Sequence, residues 1–200
     1  MIGAILAGGA SRRFAGRPKG LEEVGGVRLI EYVARALRAV VPEIILVSNA
    51  PDATQWLSEA RVCRDVRTAE GRSSLIGIHA ALVHAGGPVL VVAWDMPFVS
   101  PELLRLILDR AQTARYAVLP ESDRGLEPCC AWYGPAALPT IDAMLDVKEL
   151  RLERLADRLP ACDRVTRADV AAVGDPARLF FNVNTAGDLA RAESMADLES

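Results

Sequence analysis

Short aliphatic and β-branched runs alternate with longer helical patterns through the first hundred residues. Strands are predicted over Ile2–Leu6, Ile44–Ser48, Arg61–Arg64 and Val89–Ala93. Leu29, Val33, Leu37 and Val40 or Val41 recur at helical spacing and predict a helix over Leu29–Val41. Val89-Leu90-Val91-Val92-Ala93 has no polar residue, as expected of a central strand buried on both faces. Ser100, Pro101 and Glu102 then open another helix, with a cap, a first-turn proline and a carboxylate at the positive end of the dipole. The second half is less regular. It predicts strands at Tyr116–Pro120, Pro128–Tyr133 and Leu179–Val183, and helices over Pro135–Leu145, Lys148–Leu159 and Thr185–Leu198. Thr185 with Asp188 makes a capping box for the last of these. Repeated strand–helix–strand units imply an α/β fold with a doubly wound, mostly parallel sheet covered on both faces. No repeat or linker divides the 200 residues, so one domain is expected.

Composition adds little and excludes something. Hydrophobic residues make up 51% and charged residues 24%, ordinary for a globular protein. A net charge of -3 gives no electrostatic ground for a nucleic acid or an anionic membrane as partner. No segment reaches the roughly 20 continuous apolar residues of a membrane span. The start, Met1 to Leu6, lacks a basic leader and reads as a first strand, so no signal peptide and a cytoplasmic location are expected. Cys63, Cys129, Cys130 and Cys162 form no CxxC pair and have no histidine at zinc spacing, which suits buried, reduced thiols. His79 and His84 lie in an apolar helical stretch and read as packing or surface residues.

The chemistry concentrates after the first strand, in Leu6-Ala7-Gly8-Gly9-Ala10-Ser11-Arg12-Arg13-Phe14-Ala15-Gly16-Arg17-Pro18-Lys19-Gly20. Glycines directly after a strand let backbone amides approach a phosphate, and Arg12, Arg13, Arg17 and Lys19 supply the charge a triphosphate demands. The bland alternative is a solvated basic loop. Walker A fails, because Lys19 lies between Pro18 and Gly20, and the GxGxxG dinucleotide fingerprint is not supplied. Asp95, just past the Val89–Ala93 strand, is either a rigid single ligand for Mg2+ beside substrate phosphates or a turn aspartate. Asn182 and Asn184 alternate with Phe181 and Val183, which would put both on one side of the predicted strand. They could bind an acceptor or satisfy buried backbone groups. Glu127 is either an acceptor-side contact or merely the polar start of a strand. Ligands of open α/β sheets bind beyond the carboxyl ends of the strands, where these residues fall.

The segment Leu6–Leu21 resembles the LAGGxSxRxGxxKxL signature of the MobA-like nucleotidyltransferases. The resemblance continues through Asn49, Asp65 and Asp95-Met96-Pro97-Phe98, and through Glu127-Pro128-Cys129-Cys130-Ala131-Trp132-Tyr133 and Phe181-Asn182-Val183-Asn184-Thr185, similar to EPLxAxY and FxNVNT. It implies a single Rossmann-like nucleotidyltransferase domain over residues 1–200, its N-terminal half binding nucleotide and its C-terminal half the acceptor. Guanylyl-transferring members move GMP from GTP to molybdopterin, forming molybdopterin guanine dinucleotide and releasing pyrophosphate. By that resemblance Leu6, Ala7, Gly8 and Gly9 would contact the nucleotide, Lys19 its phosphates, and Asn49 and Asp65 its base and ribose. Asp95 would hold Mg2+, Arg13 would assist Lys19 on the departing pyrophosphate, and Asn182 and Asn184 would bind the pterin. Molybdenum-insertion proteins or molybdoenzymes are the candidate protein partners.

The match also departs from the pattern. Phe14-Ala15 replaces the usual Met-Gly, and Ala186-Gly187 the usual Pro-Glu. Gly71-Arg72-Ser73-Ser74-Leu75 is closer to cytidylyl members, whereas Gly8-Gly9 and the Asn-Val-Asn-Thr run favour guanine. Cytidylyl transfer to the same pterin and transfer to a sugar phosphate are therefore rivals within one chemistry. A dinucleotide-dependent oxidoreductase and a non-catalytic nucleotide binder are rivals outside it.

Overall fold

The computed structural model describes residues 1–8, 18–67 and 73–197. Along them run β1 (Ile2–Leu6), β2 (Glu23–Val24), β3 (Val27–Arg28), α1 (Leu29–Arg38), β4 (Glu43–Val47), β5 (Arg61–Cys63), α2 (Ser74–Ala85), β6 (Val89–Ala93) and α3 (Pro101–Ala111). There follow β7 (Ala117–Ser122), β8 (Gly125–Leu126), β9 (Cys130–Tyr133), α4 (Leu138–Asp146), α5 (Leu155–Arg158), β10 (Asp163–Val165), α6 (Arg167–Ala171), α7 (Pro176–Leu179) and α8 (Ala186–Asp197).

The main sheet has the order β10-β7-β9-β6-β1-β4-β5, with β8 added to β7; β2 and β3 pair separately. β1 lies at its centre, parallel to β4 from Ile2↔Glu43 to Leu6↔Val47 and parallel to β6 from Ile2↔Val89 to Leu6↔Ala93. β9 runs antiparallel to both β6 and β7, so the sheet is mixed but mostly parallel. The two-residue period of the strands sorts the core onto two faces. Ile5, Leu46, Leu90 and Val92 meet Ile30, Val33 and Leu37 of α1 and Leu103, Leu104 and Ile107 of α3. Ala4, Leu6, Ile45, Val47 and Val91 meet Leu75, Ile78 and Leu82 of α2 and Ile141 and Met144 of α4. Each such aliphatic side chain stabilises the fold by about 1.5–3 kcal/mol on full burial. The doubly wound architecture read from the sequence is the one observed.

Three local readings need correction. The helix begun at Leu29 stops at Arg38, three residues early, because Val40 and Val41 both turn back onto the Leu37 carbonyl ahead of Pro42. The helix expected over Lys148–Leu159 is broken. Lys148 adopts φ 57° and Glu149 N donates to Met144 O at 2.8 Å, closing α4, and only a 3-10 turn at Leu152–Arg154 and the short α5 follow. The strand expected at Leu179–Val183 is absent. Asp175 caps the short α7 by accepting from Ala177 N at 3.0 Å, and the chain then continues to Asn184 without joining the sheet. Its apolar residues are buried all the same, Phe180 under the α1/α3 face and Phe181 and Val183 in a small cluster with Val24, Leu29 and Ala192. Hydrophobic spacing reported burial there, and pairing does not follow from burial.

Candidate active site

A cleft of about 540 Å³ opens at the carboxyl ends of β1, β4, β5 and β6. β1 is flanked by β4 on one side and β6 on the other, and α1 and α2 leave on opposite faces, which is the switch point where such sheets bind ligands. Leu6, Ala7, Gly8, Lys19, Asn49, Asp65, Asp95 and Asn182 all line it. Gly8 is exposed, and a Cβ on it would meet no described atom within 4 Å, so the described residues do not demand a glycine there. A glycine at that place leaves the backbone open to close approach by a ligand. Gly9 and Arg13, together with Arg12, Arg17, Gly71 and Arg72, lie outside the described residues.

Two residues past β6, Asp95 is 6% exposed and lies at the wall of the cleft. Lys19 Nζ donates to Asp95 Oδ2, and also to Asn184 Oδ1 at 2.9 Å. These three residues come from near the start, the middle and near the end of the 200 residues, and each is held by local chemistry. Lys19 opens a 3-10 turn, Lys19–Leu21, entered through Pro18 in extended conformation. Asp95 is fixed at its backbone, where its carbonyl accepts from Val183 N at 2.9 Å. Asn184 precedes α8, whose capping box is formed as expected: Thr185 N donates to Asp188 Oδ2 at 2.8 Å and Asp188 N to Thr185 Oγ1 at 3.1 Å. Asn184 N reaches the same carboxylate at 3.0 Å, so the first turn of α8 sets the asparagine that meets the lysine.

The two asparagines do not act as a matched pair on one strand face. Asn184 bonds to Lys19, whereas Asn182 lines the cleft with its amide donating to Phe180 O at 3.0 Å. Across the cleft, Asn49 and Asp65 lock reciprocally: Asp65 N donates to Asn49 Oδ1 at 2.9 Å, and Asn49 Nδ2 donates to Asp65 Oδ2. Arg67, two residues on, pairs with Asp142 at 3.1 Å and with Asp146, tying the Asp65 loop to α4.

Several cleft residues escaped the sequence reading. Trp94 and Trp56 both line the cleft, buried and stacked with ring centroids 5.2 Å apart. The available signal was a tryptophan directly before Asp95 at the end of an apolar strand. Ser73 and Ser74 lie where α2 begins at the cleft, with Ser73 Oγ accepting from Leu75 N at 3.1 Å as the cap. Cys129 is also at the wall; burial pushes its thiol up to about 11, which keeps it protonated and poorly nucleophilic. The packing or surface roles expected for the histidines hold, with His79 in the core and His84 at the surface. His79 is buried with Nε2 3.1 Å from Asp142 Oδ1, and His84 Nε2 is 2.9 Å from Arg64 O. Glu127 serves the β7–β8 hairpin: its carboxylate accepts from Ser122 Oγ at 2.6 Å, and burial raises its pKa.

A lysine beside a buried carboxylate gives this cleft groups chemically able to meet a phosphorylated ligand. Residues 3–170 match the family model described as the MobA-like NTP transferase domain. A probable molybdenum cofactor guanylyltransferase of Pelotomaculum thermopropionicum is 36% identical over 98% of this chain and 93% of its own. A molybdenum cofactor guanylyltransferase of Desulfosudis oleivorans is 31% identical over 97% of this chain and 95% of its own. The crystal structure of molybdopterin-guanine dinucleotide biosynthesis protein A from Archaeoglobus fulgidus superposes with a TM-score of 0.82 at 31% identity, covering 99% of this chain and all of that one. The chain belongs to the MobA-like NTP transferase family.

Proposed function

We propose that this nucleotidyltransferase transfers GMP from GTP to molybdopterin, forming molybdopterin guanine dinucleotide and releasing pyrophosphate. The relatives' names support the substrates, and one observation carries the chemistry. Lys19, Asp95 and Asn184, from remote parts of the chain, meet at the edge of one cleft.

In this reading the exits of β1, β4 and β5 take the nucleotide, with Leu6, Ala7, Gly8 and Gly9 along it and Asn49 and Asp65 at its base and ribose. The segment with Asn182 and Asn184 takes the pterin, so the N-terminal half serves the nucleotide and the C-terminal half the acceptor. A terminal phosphate oxygen of the acceptor attacks the α-phosphorus in line, and the bond to the β-phosphate oxygen breaks. That nucleophile is already ionised, so no general base is required, and catalysis rests on positioning and on charge. Lys19, helped by Arg13, neutralises the departing pyrophosphate.

Asp95 suits Mg2+ as its protein ligand. It is a single buried carboxylate in a cleft able to hold phosphates, and no group of three or more His, Cys, Asp or Glu forms a protein cage among the described residues. Mg2+ there supplies Lewis-acid stabilisation of charge on the phosphate oxygens. The carboxylate has two oxygens, and Lys19 engages Oδ2. No helix among the described residues is long and apolar enough to cross a membrane. The reading puts the reaction in the cytoplasm, with molybdenum-insertion proteins or molybdoenzymes receiving the product.

The test is incubation with Mg2+, molybdopterin and either GTP or CTP, with the product identified by mass. A guanine dinucleotide is expected. A cytosine dinucleotide, or product only with a sugar phosphate as acceptor, would replace this reading with its rival.

A further inference from the structure

Trp94 touches both sides of the Lys19–Asp95 pair. It is the residue before Asp95, and its backbone N–H donates to Leu6 O at 3.2 Å, fixing it between the exits of β1 and β6. Its indole lies directly against Gly20, the residue after Lys19: a Cβ on Gly20 would stand 2.2 Å from Trp94 Cε3 and 2.4 Å from Cδ2. Trp56 stacks on the same indole, at 5.2 Å between centroids and 28° between planes. Trp56 is itself held by Nε1 donating to Asp52 Oδ2 at 3.1 Å. Asp52 and Trp56 belong to the β4–β5 connection that also carries Asn49.

The turn that carries Lys19 is stabilised by two short-range bonds, Leu21 N to Pro18 O at 3.0 Å and Glu22 N to Lys19 O at 3.1 Å. Such bonds define the shape of the turn and say nothing of where it stands over the sheet. Two further contacts anchor it there: Leu29 N donates to Glu22 O at 2.9 Å, and Gly20 packs on the indole. We propose that Trp94, braced by Trp56, is a positioning residue that holds Lys19 in register with Asp95 and so fixes the reach of the lysine into the cleft. The inference rests on the reading of Lys19 and Asp95 as the phosphate-and-metal pair. It assigns the tryptophans a role that neither charge nor hydrogen bonding reveals. A large rigid ring suits this task, since a lysine side chain is flexible and its fixed end is the backbone that bears it.

Lys19 and Lys148 are the two lysines of the chain, which gives a direct readout without nucleotide. The folded protein is exposed briefly to an amine-acetylating reagent, and acetylation of Lys19 is measured by mass relative to Lys148. A nitrogen hydrogen-bonded to Asp95 and Asn184 has to leave both partners before it can attack the reagent. Trp94→Leu and Trp56→Leu are expected to raise the Lys19-to-Lys148 ratio at least about threefold, and Trp94→Phe to restore it towards the parent value. In pyrophosphate-release assays the leucine variants should lose more than about tenfold in kcat with KM for the nucleotide changed far less. Thermal melts identify a variant that fails to fold. Trp56→Leu, which alters neither partner of the pair nor its chain neighbours, then carries the test in place of Trp94→Leu. An unchanged ratio in a folded leucine variant overturns the proposal. Failure of the parent protein to release pyrophosphate from any nucleotide would overturn the functional reading instead, and the labelling ratio would still decide whether Trp94 places Lys19.

Discussion

Lys19 donates through Nζ to the buried carboxylate of Asp95, 76 residues away along the chain. The two come from loops that leave neighbouring parallel strands, β1 and β6, at the same end of the sheet. Parallel pairing from Ile2↔Val89 to Leu6↔Ala93 brings both strands out in step, so Gly8, Lys19 and Asp95 line one cleft. A cation that can follow phosphate charge and an anion that can hold a metal are thus placed together by strand register.

Replacing Lys19 by alanine should lower kcat by about 10²–10³-fold, the usual loss when one charge-stabilising donor is removed from a transition state. The same change leaves Asp95 buried without its ammonium, which should destabilise the fold by about 1–3 kcal/mol. Steady-state kinetics and a thermal melt measure both. Near-parent turnover would reject the role of Lys19.

Asp95→Asn should be milder for stability than Lys19→Ala, because the amide is neutral and Lys19, with its side chain 20% exposed, can turn to water. Turnover should nevertheless fall by orders of magnitude at any Mg2+ concentration. A variant whose activity returned fully at high Mg2+ would show that Asp95 aids metal affinity and nothing more.

Gly20→Ala places a methyl inside the Trp94 ring, and overpacking of that kind costs about 1–3 kcal/mol. Lower thermal stability together with lower kcat is expected. Unaltered melting would mean that the turn and the indole are less closely packed than described.

The Asn49–Asp65 lock makes these residues energetically dependent. Asn49→Ala and Asp65→Ala should each raise KM for the nucleotide, and the double variant should be little worse than the poorer single one. Strict additivity in a double-mutant cycle would show that each acts alone.

Burial raises the Cys129 thiol from 9.0 to about 11. A raised thiol pKa means that the folded chain favours the protonated form. Its contribution to stability is fully present below about pH 9 and is lost as pH rises towards 11. Denaturant titrations across that interval should show a decline that Cys129→Ser makes shallower, the remainder coming from Cys63, Cys130, Cys162 and Tyr133, which burial also raises. An identical alkaline profile in the serine variant would remove the thiol as its source.

Much of the site was legible because its chemistry is local in sequence. Lys19 stands out among glycines and arginines after an apolar run, and Asp95 follows Val89–Ala93, which is a strand over the same five residues as predicted. What failed were features settled by tertiary context. Leu179, Phe180, Phe181 and Val183 look like a strand because all four are buried, but no sheet edge receives them. Lys148 occupies a left-handed position where glycine would have announced the end of α4. Trp94 is not singled out by the sequence reading, and its packing on Gly20 follows from no spacing rule.

The backbone bond from Val183 to the Asp95 carbonyl, with Asn184 reaching Lys19 beside it, has a consequence for how the protein comes into being. A growing polypeptide acquires its central strands, its lysine and its aspartate long before residue 184 is made. Until that asparagine leaves the ribosome, no nascent chain can bring Lys19, Asp95 and Asn184 together, however well its sheet has already formed.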